Sequence, residues 1–342
     1  MRKSLALAVA ILFGLPGAAQ QQGDAPGRIK ARTELVIVPV TVKDSQGNLV
    51  SGIGRDEFRI FEDGVEQPVA LFSNEAFPLS AVVLLDNDLS SKSASEVQDS
   101  LMSIAAGFGP SDEVSLMLFD QFPEPVLDFT ADSDKLFTQL KRLRIDSSTS
   151  ATATTSPAGV PPTLPPIPSV GNQNQTPGGT SPSSGVHFSP GTDKDLDDAV
   201  HAAGEALKSR GRDRRKIIFL ISDGANSHHN KWSLDETTQL LLSADVSVYA
   251  VAVSSSFLKH GSGRLERYSH ETGGDYFYAS HRSDLERLYS ALTEQARHQY
   301  TLAFVPQKTD HGQAYHTIEV RVRRPELDLL TRQGYYAAGI VR

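Results

Sequence analysis

Five oxygen-bearing side chains carry the chemistry that this sequence can do: Asp86, Asp88, Ser90, Thr192 and Asp223. The first three follow the run Ala81-Val-Val-Leu-Leu85, and Asp223 follows Ile217-Ile-Phe-Leu-Ile221 and Ser222. An apolar run that short, without polar alternation, predicts a strand buried on both faces, as at the centre of a parallel sheet. In open α/β sheets, ligands collect where loops leave the carboxyl ends of the strands. Asp86 and Asp223 are therefore expected on one edge of one sheet, although they lie far apart in the chain. Like charges brought together repel, and a bound cation relieves the repulsion. Hard divalent cations take oxygen ligands, and Mg²⁺ typically uses one or two protein carboxylates. The pattern predicts a site for Mg²⁺ or Ca²⁺ with Asp86, Asp88, Ser90, Thr192 and Asp223 as metal ligands. Local roles compete with this reading, because Asp, Ser and Thr after strands also bond backbone N–H groups in turns and helix caps.

The elements that must position these residues alternate. The spacing predicts strands over 81–85, 113–119, 217–221, 246–253 and 276–279. Amphipathic helices are predicted over 96–106, 134–143, 195–208, 233–243, 263–272 and 283–298. Strands alternating with helices argue for a doubly wound, mostly parallel sheet. Before them, strands are expected over 35–42, 57–62 and 67–72, separated by the turns Asp44-Ser-Gln-Gly-Asn48 and Asp63-Gly64. After them, 299–305, 316–323 and 327–334 alternate apolar and polar residues, and their pairing with 35–72 would bring the two ends of the chain together. The segment 146–190 is rich in Ser, Thr, Pro and Gly, has almost no charge and cannot bury enough surface to offset its ordering cost. It is expected to be a disordered insertion. The basic run 210–216 is expected to be a solvated helix end.

The order Asp-x-x-x-Ser after an apolar strand, Gly-Thr before a helix, then strand-Ser-Asp-Gly resembles a von Willebrand factor A domain. The flanks VPVTVKDSQGNLVSGIGRDEFRIFEDGVEQPVALF and QYTLAFVPQKTDHGQAYHTIEVRVRRPELDLLTRQGYYA resemble the ends of the acidobacterial von Willebrand factor A-related proteins. Together these cover nearly all of the chain beyond its first residues. The resemblance implies a metal-ion-dependent adhesion site, with Asp86, Ser90, Thr192 and Asp223 on ligand positions and a protein as the ligand. It also marks two departures. Asp88 stands where the family's first motif, Asp-x-Ser-x-Ser, has its first serine, which adds negative charge to the site. The spacing from Thr192 to Leu196-Asp-Asp-Ala199 is longer than in the family. The alternative is a different class: Asp86-x-Asp88 also resembles the haloacid dehalogenase phosphatases, which are Mg²⁺-dependent and use the first Asp as nucleophile and the second as general acid/base. That resemblance further requires a lysine and another acidic pair. Asp223 is followed by Gly224-Ala-Asn-Ser227 without a second acid, and the spacing alone assigns no lysine to the role.

Other motifs fail on their residues. A calcium loop begun at Asp86 would have Val97, not Glu, at its twelfth position. Gly52-Ile53-Gly54 lacks the third glycine of a nucleotide fingerprint, and no Gly-x-Ser-x-Gly occurs. His228 and His229 are neighbours on an extended segment, so they point apart and are expected to be solvent-exposed loop residues.

The formal net charge of −8 argues against nonspecific nucleic-acid binding, which needs a basic surface. Arg2-Lys3, a mostly apolar stretch to Leu15 and the small residues Gly17-Ala-Ala19 form a secretory signal over 1–19, followed by a flexible lead-in over 20–33. No later stretch is long and apolar enough to span a membrane. With no cysteine, neither a disulfide framework nor a lipidated cysteine is available. The expected organisation is an N-terminal β segment over 34–77, a von Willebrand factor A-like α/β domain over 78–298 and a C-terminal β segment over 299–342. The expected function is that of a periplasmic or extracellular binding module rather than an enzyme.

Overall fold

The computed structural model describes residues 35–146, 194–253, 262–306 and 314–337. The signal 1–19, the lead-in 20–33, Thr192 and all but the first residue of 146–190 lie outside the described residues. The centre of the fold is β5 (Leu79–Asp86), buried at every position. Its odd-numbered residues Leu79, Ala81, Val83 and Leu85 enter one core, and Val82 and Leu84 enter another. That split follows from the two-residue period of a strand, and it requires both faces to be apolar.

Beside β5 lie β6 (Glu113–Phe119) and β8 (Arg215–Ser222), then β9 (Val246–Val253) and β10 (Tyr276–Ala279). All these pairings are parallel. The sheet ends on β7 (Pro123–Thr130), antiparallel to β6, giving the order β10-β9-β8-β5-β6-β7. On one face pack α1 (Ser91–Gly107), α2 (Ser133–Arg142) and α6 (Arg282–Arg297), through Val97, Leu101, Leu136, Leu140, Leu288 and Leu292. On the other face pack α3 (Leu196–Lys208), α4 (Leu234–Ser243) and α5 (Ser262–Thr272), through Val200, Ala203, Leu207, Leu241, Leu265 and Tyr268. Helices on both faces of a mostly parallel sheet make this the doubly wound α/β class expected from the sequence.

The two β segments flanking this domain form two four-stranded sheets, each built from both ends of the chain. One has the order β13 (Asp328–Thr331), β1 (Val36–Lys43), β11 (Tyr300–Phe304), β4 (Leu71–Ser73). The other runs β14 (Gly334–Tyr336), β12 (Tyr315–Val322), β2 (Phe58–Glu62), β3 (Val65–Gln67). They share a core of Val38, Val40, Phe58, Ile60, Leu302, Phe304 and neighbours. Buried Arg332 ties this pair of sheets to the α/β domain, donating to Asp245 Oδ1 at 2.8 Å and to the carbonyl of Leu242.

Several expectations need correction. The strand expected over 67–72 is two strands in different sheets, because Pro68 has no N–H to continue the β3 ladder. The strand expected over 327–334 likewise divides into β13 and β14. The edge strand β7, which has Pro123 and Pro125, is not among the strands that the spacing predicts. Helix α1 starts at Ser91 rather than 96, since Ser90 caps it. The basic run is not simply solvated: Arg210 forms a two-point bond to Glu113 at 2.8 and 2.6 Å, and Arg214 donates to the Leu79 carbonyl at 2.8 Å. It clasps the amino-terminal edge of the sheet, opposite the candidate site.

Candidate functional site

Asp86 closes β5 and is 0% exposed. Its Oδ1 accepts the Asp88 N–H at 3.0 Å. Its Oδ2 accepts the Ser222 hydroxyl at 2.7 Å and the Lys194 ammonium at 3.0 Å. The same ammonium reaches both oxygens of Asp223, each at 3.1 Å. Asp223 lies just past the end of β8, which neighbours β5, so the parallel pairing brings the two carboxylates to one edge. Gly224, at φ +77°, turns the chain sharply there, a conformation that suits glycine. The turn lets the Gly224 N–H bond Ser222 Oγ and the Ala225 N–H bond Asp223 Oδ1, both at 3.0 Å.

Lys194 is 1% exposed and immediately precedes the N-cap of α3, Asp195. The peptide group that joins it to Asp195 is held at both polar atoms. The Lys194 carbonyl accepts the Ser227 N–H at 2.6 Å, and the Asp195 N–H bonds the Asp120 carbonyl at 2.9 Å. The Asp195 carboxylate accepts the Ser227 hydroxyl. Two further acids of α3 are structural. Asp197 accepts the Tyr268 hydroxyl at 2.7 Å and the Asn226 amide at 3.1 Å, and Asp198 accepts the N–H groups of Lys231 and Trp232 at 3.0 and 2.8 Å. They fix the loop after β8 against the start of α3.

The electrostatics follow from burial and pairing. Burial opposes the charge on Lys194, but the Asp86 and Asp223 carboxylates outweigh it and hold the lysine above its ordinary range. Burial pushes the Asp86 carboxyl up to about 6 against the pull of Lys194, and Asp223 adds like charge. Asp86 is thus still ionised at neutral pH. Asp88 is raised by burial first, then by Asp223 and Asp120, with Lys194 opposing.

Of the residues expected from the sequence, Asp86 and Asp223 meet across one ammonium, and Asp88 stands beside them, half-buried. Ser90 is exposed, and its hydroxyl engages Ser93 at the N-cap of α1. Thr192 is outside the described residues. His228 and His229 are exposed, as expected. The residue that the sequence reading missed is Lys194. Two signals pointed toward it: the long spacing after Thr192, and a single lysine among the acids Asp193, Asp195, Asp197 and Asp198.

The fit of a divalent ion can be tested on this donor set. Mg²⁺ needs oxygens at 2.0–2.1 Å in near-octahedral array. The position shared by Asp86 and Asp223 is filled by a nitrogen at hydrogen-bond distance. With Lys194 between the carboxylates, the described residues do not fit a divalent ion.

No protein-family model matches the chain, and no curated protein matches it. Solved structures do. A von Willebrand factor type A protein from Catenulispora acidiphila is 8% identical over 90% of this chain and 64% of its own, with a TM-score of 0.47. Proximal thread matrix protein 1 from the mussel byssus, solved with a zinc-occupied metal-ion-dependent adhesion motif, is 14% identical over 70% of this chain and 50% of its own, at 0.43. The BatB protein of Bacteroides thetaiotaomicron is 10% identical over 64% of this chain and 98% of its own, at 0.41. The chain spans about half the length of the mussel proteins it matches. Its own strand order, with five parallel strands, one antiparallel edge and helices on both faces, is that of a doubly wound α/β domain.

Proposed function

We propose that the protein is an exported binding module that engages a protein ligand at the carboxyl edge of its six-stranded sheet. The observation that carries this reading is the state of Asp86. It is fully buried, and both its oxygens are engaged within the fold. An edge built to hold its carboxylates inward suits presentation of a rigid surface rather than attack on a substrate. The loops there are cross-braced by backbone bonds from Asn87 to Phe119 at 2.7 Å and from Asp195 to Asp120 at 2.9 Å. Beside them Phe122, 73% exposed, offers the kind of aromatic anchor that protein interfaces favour. Export rests on the signal-like first residues. Among the described residues, no helix is long and apolar enough to cross a membrane.

The phosphatase reading gains one feature, since Lys194 touches Asp86 as a lysine of that enzyme class would be expected to. It lacks an accessible nucleophile oxygen and a second acid after Asp223. The test combines three measurements. Protein from its native host should begin near Gln20. A photoreactive residue at position 121 should give a discrete protein adduct there that Phe122→Asp removes without changing the melting temperature. An adduct indifferent to Phe122→Asp moves the binding surface elsewhere. Mg²⁺-dependent hydrolysis of p-nitrophenyl phosphate, abolished by Asp88→Ser, would establish the enzyme instead.

A further inference from the structure

We infer that Lys194 is the resident cation of this domain: its ammonium takes the position between Asp86 and Asp223 that a divalent ion would otherwise fill, so the fold and its binding edge operate without Mg²⁺, Ca²⁺ or Zn²⁺. The inference goes beyond the binding reading and holds whatever the module binds.

Three observations carry it. The ammonium lies 3.0 Å from one oxygen of Asp86 and 3.1 Å from each oxygen of Asp223, so it bridges the two carboxylates. The side chain is 2% exposed and that of Asp86 0%. Among the described residues, Lys194 is the positive charge in contact with both acids, and a partly buried pair of like charges is costly when left bare. Finally, the peptide group that joins Lys194 to Asp195 is pinned at both its polar atoms, by Ser227 N–H on the Lys194 carbonyl and by Asp195 N–H on the Asp120 carbonyl. A metal entering this position would have to expel a buried ammonium that bridges both carboxylates and whose following peptide group is fixed to two loops. Of the other ligands expected from the sequence in the described region, Ser90 caps α1 and Asp88 stands half-buried beside the pair.

The chemical consequence concerns recognition. A metal of this kind would offer an open coordination position to a partner's carboxylate. A lysine buried between two carboxylates of its own fold offers none. Any partner must therefore be held by the loop surface around the site, and its binding should survive a chelator.

The experiment uses the full chain, stripped with EDTA, and titrates Mg²⁺, Ca²⁺ and Zn²⁺ at millimolar concentration while following melting temperature and heat of binding. Wild type should show no saturable response. Lys194→Ser leaves Asp86 and Asp223 facing each other beside a hydroxyl. It should acquire a melting-temperature rise that saturates with ion and is lost again in Lys194→Ser/Asp223→Asn. If Lys194→Ser does not fold alone, recovery of its folded state on adding ion is the same readout. Should it fold under neither condition, the wild-type titration decides: silence upholds the inference and ion uptake defeats it. One ion per wild-type chain, bound with a shift that Asp223→Asn abolishes, overturns the inference. So does a folded Lys194→Ser that remains indifferent to every ion.

Discussion

Lys194 Nζ lies 3.0 Å from Asp86 Oδ2, joining the residue before the N-cap of α3 to the last residue of the central strand. Both partners are almost wholly inside the protein. Breaking such a pair from one side strands a buried charge, at a cost of about 3–5 kcal/mol. Lys194→Met should therefore lower the free energy of unfolding in urea at neutral pH by about that amount, more than loss of an exposed ion pair, which is worth about 0–1 kcal/mol. A loss confined to the smaller range would mean that the ammonium does not hold the edge together.

The pH dependence of stability has a particular sign at Asp86. Its folded value of about 6 lies above the ordinary 3.8, so the native state keeps this proton when the unfolded chain has lost it. The contribution is favourable below the lower value and is withdrawn as pH rises toward the higher, by about 3 kcal/mol in all. Carboxylates held low by their partners act oppositely. Asp63, bonded by His316, and Glu57, bonded by Arg324, lose stabilisation as pH falls. Subtracting the profile of Asp86→Asn cancels those shared effects. The wild-type minus variant difference from urea unfolding should decline between about pH 4 and 6 and then level. A level difference across that window would remove the raised Asp86 value.

Ser90 provides a separate check on the division between ligand and cap. Its hydroxyl accepts the Ser93 N–H at 3.4 Å at the start of α1. Ser90→Ala should cost about 1 kcal/mol of stability, the usual worth of an N-cap. It should leave the behaviour toward divalent ions as it is in wild type. If Ser90→Ala changed an ion response while leaving unfolding untouched, the serine would be a ligand and not a cap.

Much of this protein was legible from local pattern. Unbroken apolar runs announced β5, β8 and β9, because a strand covered by helices on both faces has no polar side to show. The acids at the ends of β5 and β8 then had to share an edge, since parallel neighbours finish together. What escaped were features whose cause lies in a partner strand or loop. Pro123 and Pro125 argue against a strand in isolation, yet β7 forms at the sheet margin, where a missing N–H leaves no neighbour unsatisfied. The segment 65–73 divides between two sheets because β3 pairs with its sequence neighbour β2, whereas β4 pairs with β11, more than two hundred residues further along the chain.

The candidate site divides in the same way. Sequence by itself determined that negative charge would gather at the carboxyl edge and that some cation must answer it. Periodicity specifies which residues face a core, and a strand's last residue specifies an edge. Neither says which long, flexible side chain will arrive there from a loop. Only the tertiary structure decided that the answer is Lys194. Its ammonium reaches Asp86 because hydrogen bonds from the Asp120 and Ser227 loops fix the entry to α3 directly over the end of β5, and that placement is a property of three chain segments at once.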